Sequence, residues 1–247
     1  AQRLGLPFHL ESRPVEDEAR GSGQSFEAYA RHVRYEFLRR TAQARNCHVV
    51  ATGHNADDVA ETVLMRLVRG ASPSGLAGIP PVGEYNGARI IRPLIECRRS
   101  HILDYLKERN IPFRTDSTNT DTRYLRNRVR HELLPLLETY NSNVRDALLR
   151  LADLQRQDAA FLDAHAAKAY AHCVQDDHAI KRDRFRDLHP ALQSRVVLVL
   201  AWKQCVDCPS ERVAAAMDFV CNGGTGLRFD VGQGVSLVNG RDETSLV

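Results

Sequence analysis

The sequence lacks any long hydrophobic run. Its longest apolar stretch extends from Val196 to Trp202, far short of the roughly 20 residues that a membrane-spanning helix needs. The opening residues Ala1 to Gly5 contain no apolar segment of the kind found in secretory signal peptides. We therefore expect a cytoplasmic protein with no membrane partner.

The chain also lacks internal repeats, low-complexity tracts and a strong excess of one charge. A formal net charge of +3 over 247 residues permits a nucleic-acid partner but does not by itself indicate one. The length is sufficient for one large domain or two smaller ones, each with its own hydrophobic core. What matters for nucleic-acid binding is therefore whether the arginines cluster.

Cysteine is sparse, and only Cys205 and Cys208 show a suggestive C-x-x-C spacing. A zinc site would need a fourth ligand beyond these two and Cys221, and none stands at the usual spacing. We interpret the pair as two incidental thiols and predict no metal site.

Strand and helix patterns alternate in the first half of the chain. Phe8–Glu11 has the pattern of a short strand, and the polar residues 12–24 that of a loop. Ser25 suits the N-cap of a helix that extends to about Arg45. Cys47–Ala51 is typical of a buried strand, and residues 55–69 of a helix ended by Gly70. This alternation predicts an α/β fold with a parallel sheet.

The next segments are less regular. Residues 70–87, rich in Gly, Pro and Ser, predict a long loop, and residues 89–93 a further strand. Residues 100–109 are helical in pattern. Residues 123–137 are helical again, with an interruption expected at Pro135.

The character of the chain changes after about residue 140. Apolar residues from Val144 to Leu162 recur at helical spacing and predict one long amphipathic helix. Two more helices are expected within residues 190–221, and short β-hairpins within residues 227–247. We predict a catalytic α/β domain over residues 1–140, and a linker helix with a mostly helical C-terminal domain over residues 141–247.

The most informative segment lies where a predicted strand turns into a helix. There, His54, Asp58 and Glu61 are spaced i, i+4 and i+7, which places them within a ~60° arc of a helix, with Asp57 beside them. Such a face could bind an amine, bind a metal or perform acid–base chemistry. It could equally be a solvated face whose acidic residues favour a helix N-terminus.

Arginines cluster in two further segments. Arg31 and Arg34 stand one helical turn apart and could clamp phosphates or simply lie on the surface. Beyond the turn formers of residues 116–119 comes a second, basic run beside Tyr124. This run could contact RNA phosphates and bases, or it could be a plain charged helix. Its members are Arg123, Arg126, Arg128 and Arg130.

Taken together and in order, six segments resemble the tRNA(Ile)-lysidine synthetases. They are Glu27–Tyr35, Thr52–Thr62, Arg69–Gly78, Ile91–Leu94, Asp116–Asn119 and Tyr124–His131. The resemblance is strong over residues 1–140 and looser beyond. It implies the PP-loop ATP pyrophosphatase fold, with a parallel sheet, flanking helices and a helical C-terminal domain that binds tRNA.

The resemblance also implies a reaction. ATP, accompanied by Mg²⁺, adenylates the wobble cytidine of an isoleucine tRNA with a CAU anticodon; the ε-amine of L-lysine then attacks C2 and AMP leaves. We expect His54, Asp58 and Glu61 to be catalytic. The carboxylates of Asp57, Asp58 and Glu61 are expected to bind the substrate lysine. The expected ATP-binding residues are Arg31, Arg34 and Arg126, and the expected tRNA-binding residues are Arg123, Arg128 and Arg130. A homodimer is also expected.

Two departures from the family pattern stand out. The family's Ser-Gly-Gly-x-Asp-Ser loop, whose N–H groups cradle pyrophosphate, does not occur in the 247 residues. We therefore expect a missing upstream segment, weak ATP binding and reduced stability for the chain as it stands. Asn55 replaces a second His of the family motif, a change that we expect to be mild.

Three alternatives remain at this point. A tRNA thiolase of the same superfamily would use paired cysteines, such as Cys205 and Cys208. A metal-dependent hydrolase could use His54, Asp57 and Asp58, and would be distinguished by its metal content. A non-catalytic RNA-binding protein would bind tRNA without turnover.

Overall fold

A computed structural model describes residues 5–23, 26–114, 121–204, 206 and 208–247 of the chain. They form two compact units. The first comprises Ala1–Met65 and Gly78–Arg150, and the second Arg66–Ala77 and Leu151–Val247. The division thus follows Arg150, inside a long helix, rather than residue 140. The assignment of catalysis to one part and tRNA binding to the other stays a prediction.

The first unit combines helices with three strands. In chain order its elements are α1 (Val15–Ser22), α2 (Phe26–Ala44), β1 (Val49–Ala51), α3 (Ala56–Val68), β2 (Val82–Tyr85), β3 (Ala88–Ile91), α4 (Arg99–Glu108), α5 (Leu125–Arg128), a π-helical turn (Val129–Leu133) and α6 (Leu134–Tyr140). α7 (Val144–Cys173) is the helix within which the division falls.

The sheet of the first unit has the order β1-β3-β2. β1 pairs with β3 in parallel, Val50 opposite Ile90, as the α/β pattern predicted. β2 pairs with β3 in antiparallel orientation, so the sheet is mixed rather than wholly parallel. The reason is the Asn86-Gly87 turn, where both residues have positive φ (46° and 80°). This is the geometry of a tight hairpin.

Helices pack on this sheet through apolar side chains. Tyr35 of α2 packs with Val50 of β1 and Ile90 of β3. On α3, Val59 and Val63 are buried and form its apolar face. Burying a side chain of this kind contributes about 1.5–3 kcal/mol. The apolar face therefore sets how α3 presents its acidic side.

Four local predictions were wrong. Residues 8–11 form no strand, and Phe8 is 71% exposed, because no described strand pairs with them. Residues 15–22 are helical rather than a loop; three acidic residues in the first turn and Arg20 in the last suit the helix dipole. Residues 70–87 contain a 3₁₀ turn and β2 instead of one long loop. The helix around Pro135 is not interrupted.

The π-helical turn explains how this helix passes Pro135. Proline has no N–H to donate, and its ring clashes with the carbonyl four residues earlier. The N–H of Leu134 donates to the carbonyl of Val129, five residues back, so the chain is widened just before the proline. Such π-bulges are frequent at functional sites.

The second unit confirms the predicted helices and hairpins. Its elements include the 3₁₀ turn Pro73–Ala77, β4 (Val174–Gln175), β5 (Ala179–Lys181), α8 (Arg182–Arg186), α9 (Pro190–Lys203), α10 (Ser210–Asn222), β6 (Arg228–Gly232), β7 (Val235–Asn239) and β8 (Glu243–Leu246). The strands form one antiparallel sheet in the order β4-β5-β8-β7-β6. Its core includes the fully buried Phe185 and Ile180.

Basic residues in the second unit bind carbonyl groups of the protein itself. Arg182 is buried and donates to the carbonyls of Val220 and Gly223 at 2.9 and 2.6 Å. Arg186 donates to the carbonyl of Cys221 at 2.8 Å. Both therefore cap the C-terminal end of α10, where a positive charge is favourable.

Cys208 is buried, whereas Cys205 lies outside the described residues. The turn formers of residues 116–119 and the expected N-cap Ser25 also lie outside them. Among the helices in the described part of the chain, none combines the length and apolarity needed to cross a membrane.

Candidate functional site

The carboxyl ends of β1 and β3 meet at one edge of the sheet. The N–H of Thr52 donates to the carbonyl of Ile91 at 3.0 Å and holds the two strand ends together. Ligands of open α/β sheets bind at this edge. An open cavity of about 660 Å³ lies there, lined by Phe26, Ala30, Arg31, Arg34, Tyr35, Leu38, Thr52, Gly53, His54, Asp58, Arg99, Tyr124, Arg126, Asn127 and Arg130.

Asn55 begins helix α3 with a reciprocal pair of hydrogen bonds. Its Oδ1 accepts from the N–H of Asp58 at 3.1 Å, and its own N–H donates to Oδ2 of Asp58 at 3.0 Å. This is a capping box, which satisfies two N–H groups at the helix start. Asn55 is buried rather than at the rim. These bonds orient Asp58, which lines the cavity.

The two carboxylates of α3 are bound by two arginines. Glu61 is 1% exposed and accepts from Arg126 Nε at 2.9 Å and from Arg130 Nε and Nη2 at 2.6 and 2.9 Å. Arg126 Nη2 also donates to Asp58 Oδ1 at 3.2 Å. A buried carboxylate needs such partners, because burying an unpaired charge is very costly. The site therefore holds a four-residue ion-pair network.

Asp57 faces a different part of the first unit. Its Oδ2 accepts from the N–H of Arg99, the first residue of α4, at 2.7 Å. Its Oδ1 accepts from Arg145 Nη1 at 2.8 Å. Asp57 is not among the cavity-lining residues. Its contacts are those of a residue that ties α3 to α4 and α7.

His54 precedes α3 but lines the same cavity as Asp58. Its Nδ1 lies 2.9 Å from Thr52 Oγ1. Burial lowers the pKa of His54 below its usual value; the charges of Arg92, Arg126 and Arg31 lower it further, and Asp58 opposes them. The imidazole is therefore neutral at pH 7 and able to accept a proton.

Arg31 and Arg34 lie one turn apart on α2, as their spacing predicted, and both line the cavity. The Arg31 guanidinium lies 4.7 Å from the centre of the Tyr35 ring, a cation–π contact. No ion pair joins either arginine to a carboxylate among the described residues. Both are exposed and accessible to an anionic ligand.

Of the three arginines predicted to bind tRNA, Arg123 and Arg128 do not line the cavity. Arg123 pairs with Asp121 at 2.7 Å and is 85% exposed. Arg128 contacts Glu132 at 3.6 Å and is 59% exposed. Arg130, by contrast, is the partner of Glu61 within the network. Alternate residues of the basic run thus face outwards and inwards.

Several cavity residues were not foreseen as site residues. Tyr35 is 4% exposed, and its hydroxyl finds no hydrogen-bond partner among the described residues. Asn127 is buried and donates to the carbonyl of Asp121 at 2.8 Å. Phe26 and Tyr124 lie near each other, with ring centres 6.3 Å apart. For Asn127 the available signal was a short polar residue within a helical basic run.

The cavity is rich in positive charge. Among the described residues, five arginines line it, namely Arg31, Arg34, Arg99, Arg126 and Arg130, and Asp58 is the one carboxylate that does so. Glu61 adds one negative charge behind the wall. Positive charge therefore exceeds negative charge, which favours a polyanionic ligand such as a nucleotide. Within the described part of the chain, no three His, Cys, Asp or Glu residues are grouped as metal ligands.

Comparison with known proteins agrees with this geometry. Residues 1–137 match a family described as the PP-loop domain. A tRNA(Ile)-lysidine synthase of Geobacter sulfurreducens is 43% identical over 66% of this chain and 34% of its own length. Those of Symbiobacterium thermophilum and Solibacter usitatus are 44% and 38% identical, over 70% and 80% of this chain and 36% and 44% of their own lengths.

The chain thus covers only 34–44% of the length of these three curated relatives. Among solved structures, the U34-tRNA thiolase NcsA from Methanococcus maripaludis aligns with a TM-score of 0.41 and 18% identity, over 53% of this chain and 43% of that one. A likeness this weak supports no further conclusion. The cavity at the strand ends and the family match agree, and the chain belongs to the PP-loop domain family.

Proposed function

We propose that this chain carries the catalytic site of a tRNA(Ile)-lysidine synthetase, a ligase that joins lysine to C2 of the wobble cytidine of a CAU-anticodon isoleucine tRNA. The observation that carries the proposal is one cavity lined by arginines and by Asp58, which Arg126 links to the buried Glu61 behind the wall. The reaction needs both features, because ATP and RNA are polyanions while lysine is a cation.

The arginines suit the first step. The cytidine O2 attacks the α-phosphorus of ATP, a new O–P bond forms, and pyrophosphate leaves with the electrons of the broken P–O bond. Arg31, Arg34 and Arg126 line the cavity and would bind the phosphates. The proposal includes Mg²⁺ entering with the nucleotide, since this ion is usually held by phosphates and only one or two carboxylates.

The second step needs an uncharged amine. Lysine would bind through its ammonium to Asp58, which lines the cavity, and to Glu61 beside it. The neutral imidazole of His54 would accept the ammonium proton. The amine then attacks C2, the C–N bond forms, and AMP leaves with the former O2. Asp57 is assigned to holding α4 and α7 rather than to lysine, because one of its oxygens is bound by Arg99 of α4 and the other by Arg145 of α7.

The exposed arginines of the basic run suit the RNA. Arg123 and Arg128 are 85% and 59% exposed and would contact tRNA phosphates, which position the RNA without reading its sequence. Arg130 is assigned to the Glu61 network instead of tRNA. A cytoplasmic location and a homodimer are part of the same proposal and rest on the resemblance to the family.

The test is ATP-dependent transfer of labelled lysine to purified isoleucine tRNA with a CAU anticodon. Because the 247 residues lack the family's Ser-Gly-Gly-x-Asp-Ser loop, the chain alone should incorporate little label, and the chain joined to the loop segment of a relative should incorporate it. A tRNA with a different wobble base should be labelled by neither. In the protein with the loop, Asp58→Asn should lose at least ~100-fold in kcat/KM while still binding tRNA. Tight tRNA binding without lysine transfer even by the protein with the loop would contradict the ligase and favour a non-catalytic RNA-binding role.

A further inference from the structure

Arg126 occupies the place that the proposed function gives to the lysine ammonium. Its guanidinium bridges the two carboxylates of α3, with Nε 2.9 Å from Glu61 Oε2 and Nη2 3.2 Å from Asp58 Oδ1. A substrate ammonium would need acceptors from the same pair. The protein's own cation and the substrate's cation therefore require the same binding place.

The charges of the network are balanced without a ligand. Asp58 and Glu61 contribute two negative charges, and Arg126 and Arg130 two positive ones. Adding an ammonium would leave one cation in excess beside Glu61, which is 1% exposed. Because an unpaired buried charge is costly, one arginine has to leave when lysine arrives.

Arg126 is the arginine better able to leave. It gives Glu61 a single hydrogen bond, and its side chain is 36% exposed. Arg130 holds Glu61 through two hydrogen bonds and is 18% exposed. Arg130 would thus keep Glu61 paired and oriented while Arg126 moves away.

The displaced guanidinium has a destination in the cavity. Arg126 already lines the wall that also carries Arg31 and Arg34. Once it has released the carboxylates, its charge is available to a phosphate group bound there. Lysine binding would then strengthen phosphate binding, and the reverse must hold by the same factor.

We propose that Arg126 is a specificity-determining residue that competes with the lysine ammonium for Asp58 and Glu61 and, when displaced, turns to the phosphates. This inference rests on the proposed function, since it takes lysine as the amine substrate. It goes further by stating that Arg126 occupies the ammonium site when no ligand is bound. A ligand must therefore displace this tethered cation. Weakly binding amines would be rejected on that ground.

The test is calorimetric titration of L-lysine into the full chain without nucleotide. Arg126→Gln removes the competing charge and keeps a hydrogen-bonding group, so lysine should bind about fivefold tighter than in the wild type, the size expected of a partly exposed ion pair. Arg126→Lys keeps a tethered cation and should bind lysine within about twofold of the wild type. Arg20→Gln removes one arginine charge from the exposed side of α1 and should leave lysine binding unchanged.

The outcomes separate the two proposals. Equal or weaker lysine binding by Arg126→Gln, with native circular dichroism, would overturn the competition. Tightening in both Arg126 variants would also overturn it, because the tethered ammonium should still compete. If the protein with the added loop transfers lysine to tRNA while Arg126→Gln binds lysine no tighter, this inference alone is refuted. If the protein with the loop neither binds nor transfers lysine, the proposed function is refuted as well.

Discussion

At the scale of single residues, the site depends on how Glu61 is neutralised. Its carboxylate is buried on α3, and both partners come from residues more than sixty positions later, Arg126 and Arg130. The i, i+3 spacing of Asp58 and Glu61 places them on one helix face. Nothing in that spacing says which cations come to meet them. In the folded structure both carboxylates are bound by arginines.

Removing the negative charge of Glu61 should destabilise the fold. Glu61→Gln leaves Arg130, only 18% exposed, without its buried counter-charge, which costs about 3 kcal/mol. The free energy of unfolding in urea would measure this loss. Glu132→Gln is the matched control: Glu132 is 55% exposed and makes only a surface pair with Arg128, so we expect a change below ~1 kcal/mol. Equal losses in both variants would show that the buried network adds no special stability.

At the scale of elements, two local structures position the side chains of the site: the start of α3 and the π-helical turn before Pro135. Asn55 caps α3 and holds Asp58, while the π-helical turn carries the helix from Arg126 past Pro135. A capping box can be recognised from local sequence, because it needs only residues three apart. The π-helical turn was not foreseen, since a proline inside a helical pattern usually predicts a break.

Removing the cap should weaken α3 by a measurable amount. Asn55→Ala loses the acceptor for the Asp58 N–H and should lower the free energy of unfolding by about 1 kcal/mol. Asn55→Ser keeps a good N-cap acceptor and should stay within about 0.5 kcal/mol of the wild type. Thermal unfolding of the three proteins side by side checks this. If Ser proved as damaging as Ala, loss of packing rather than capping would be responsible.

At the scale of the whole molecule, the distribution of charge matters more than its total. The net charge is only +3, yet five arginines converge on one cavity of the first unit. In the second unit, Arg182 and Arg186 are bound to carbonyls at the end of α10. The basic residues of the two units therefore have different surroundings, which composition alone does not reveal.

Binding of tRNA should depend on salt through the exposed arginines. Arg128→Gln should weaken binding and reduce the slope of log K against log salt concentration by about 0.7–0.9, the contribution of one phosphate contact. Filter binding between about 50 and 200 mM salt measures the slope. Arg20→Gln, which removes an exposed charge on α1, should leave it unchanged. An unaltered slope for Arg128→Gln would remove Arg128 from the tRNA-binding surface.

The amino-acid sequence by itself determined the α/β class, the helix that begins after Asn55 and the ordered motifs of the family. These follow from short-range properties: periodicity, caps and the spacing of residues along one element. Only the tertiary structure decided that β2 runs antiparallel to β3, that Asp57 holds α4, and that Arg126 and Arg130 neutralise Asp58 and Glu61. Pairing between distant residues depends on how the elements pack, and a charge that packing buries must take whichever counter-charge that packing brings to it.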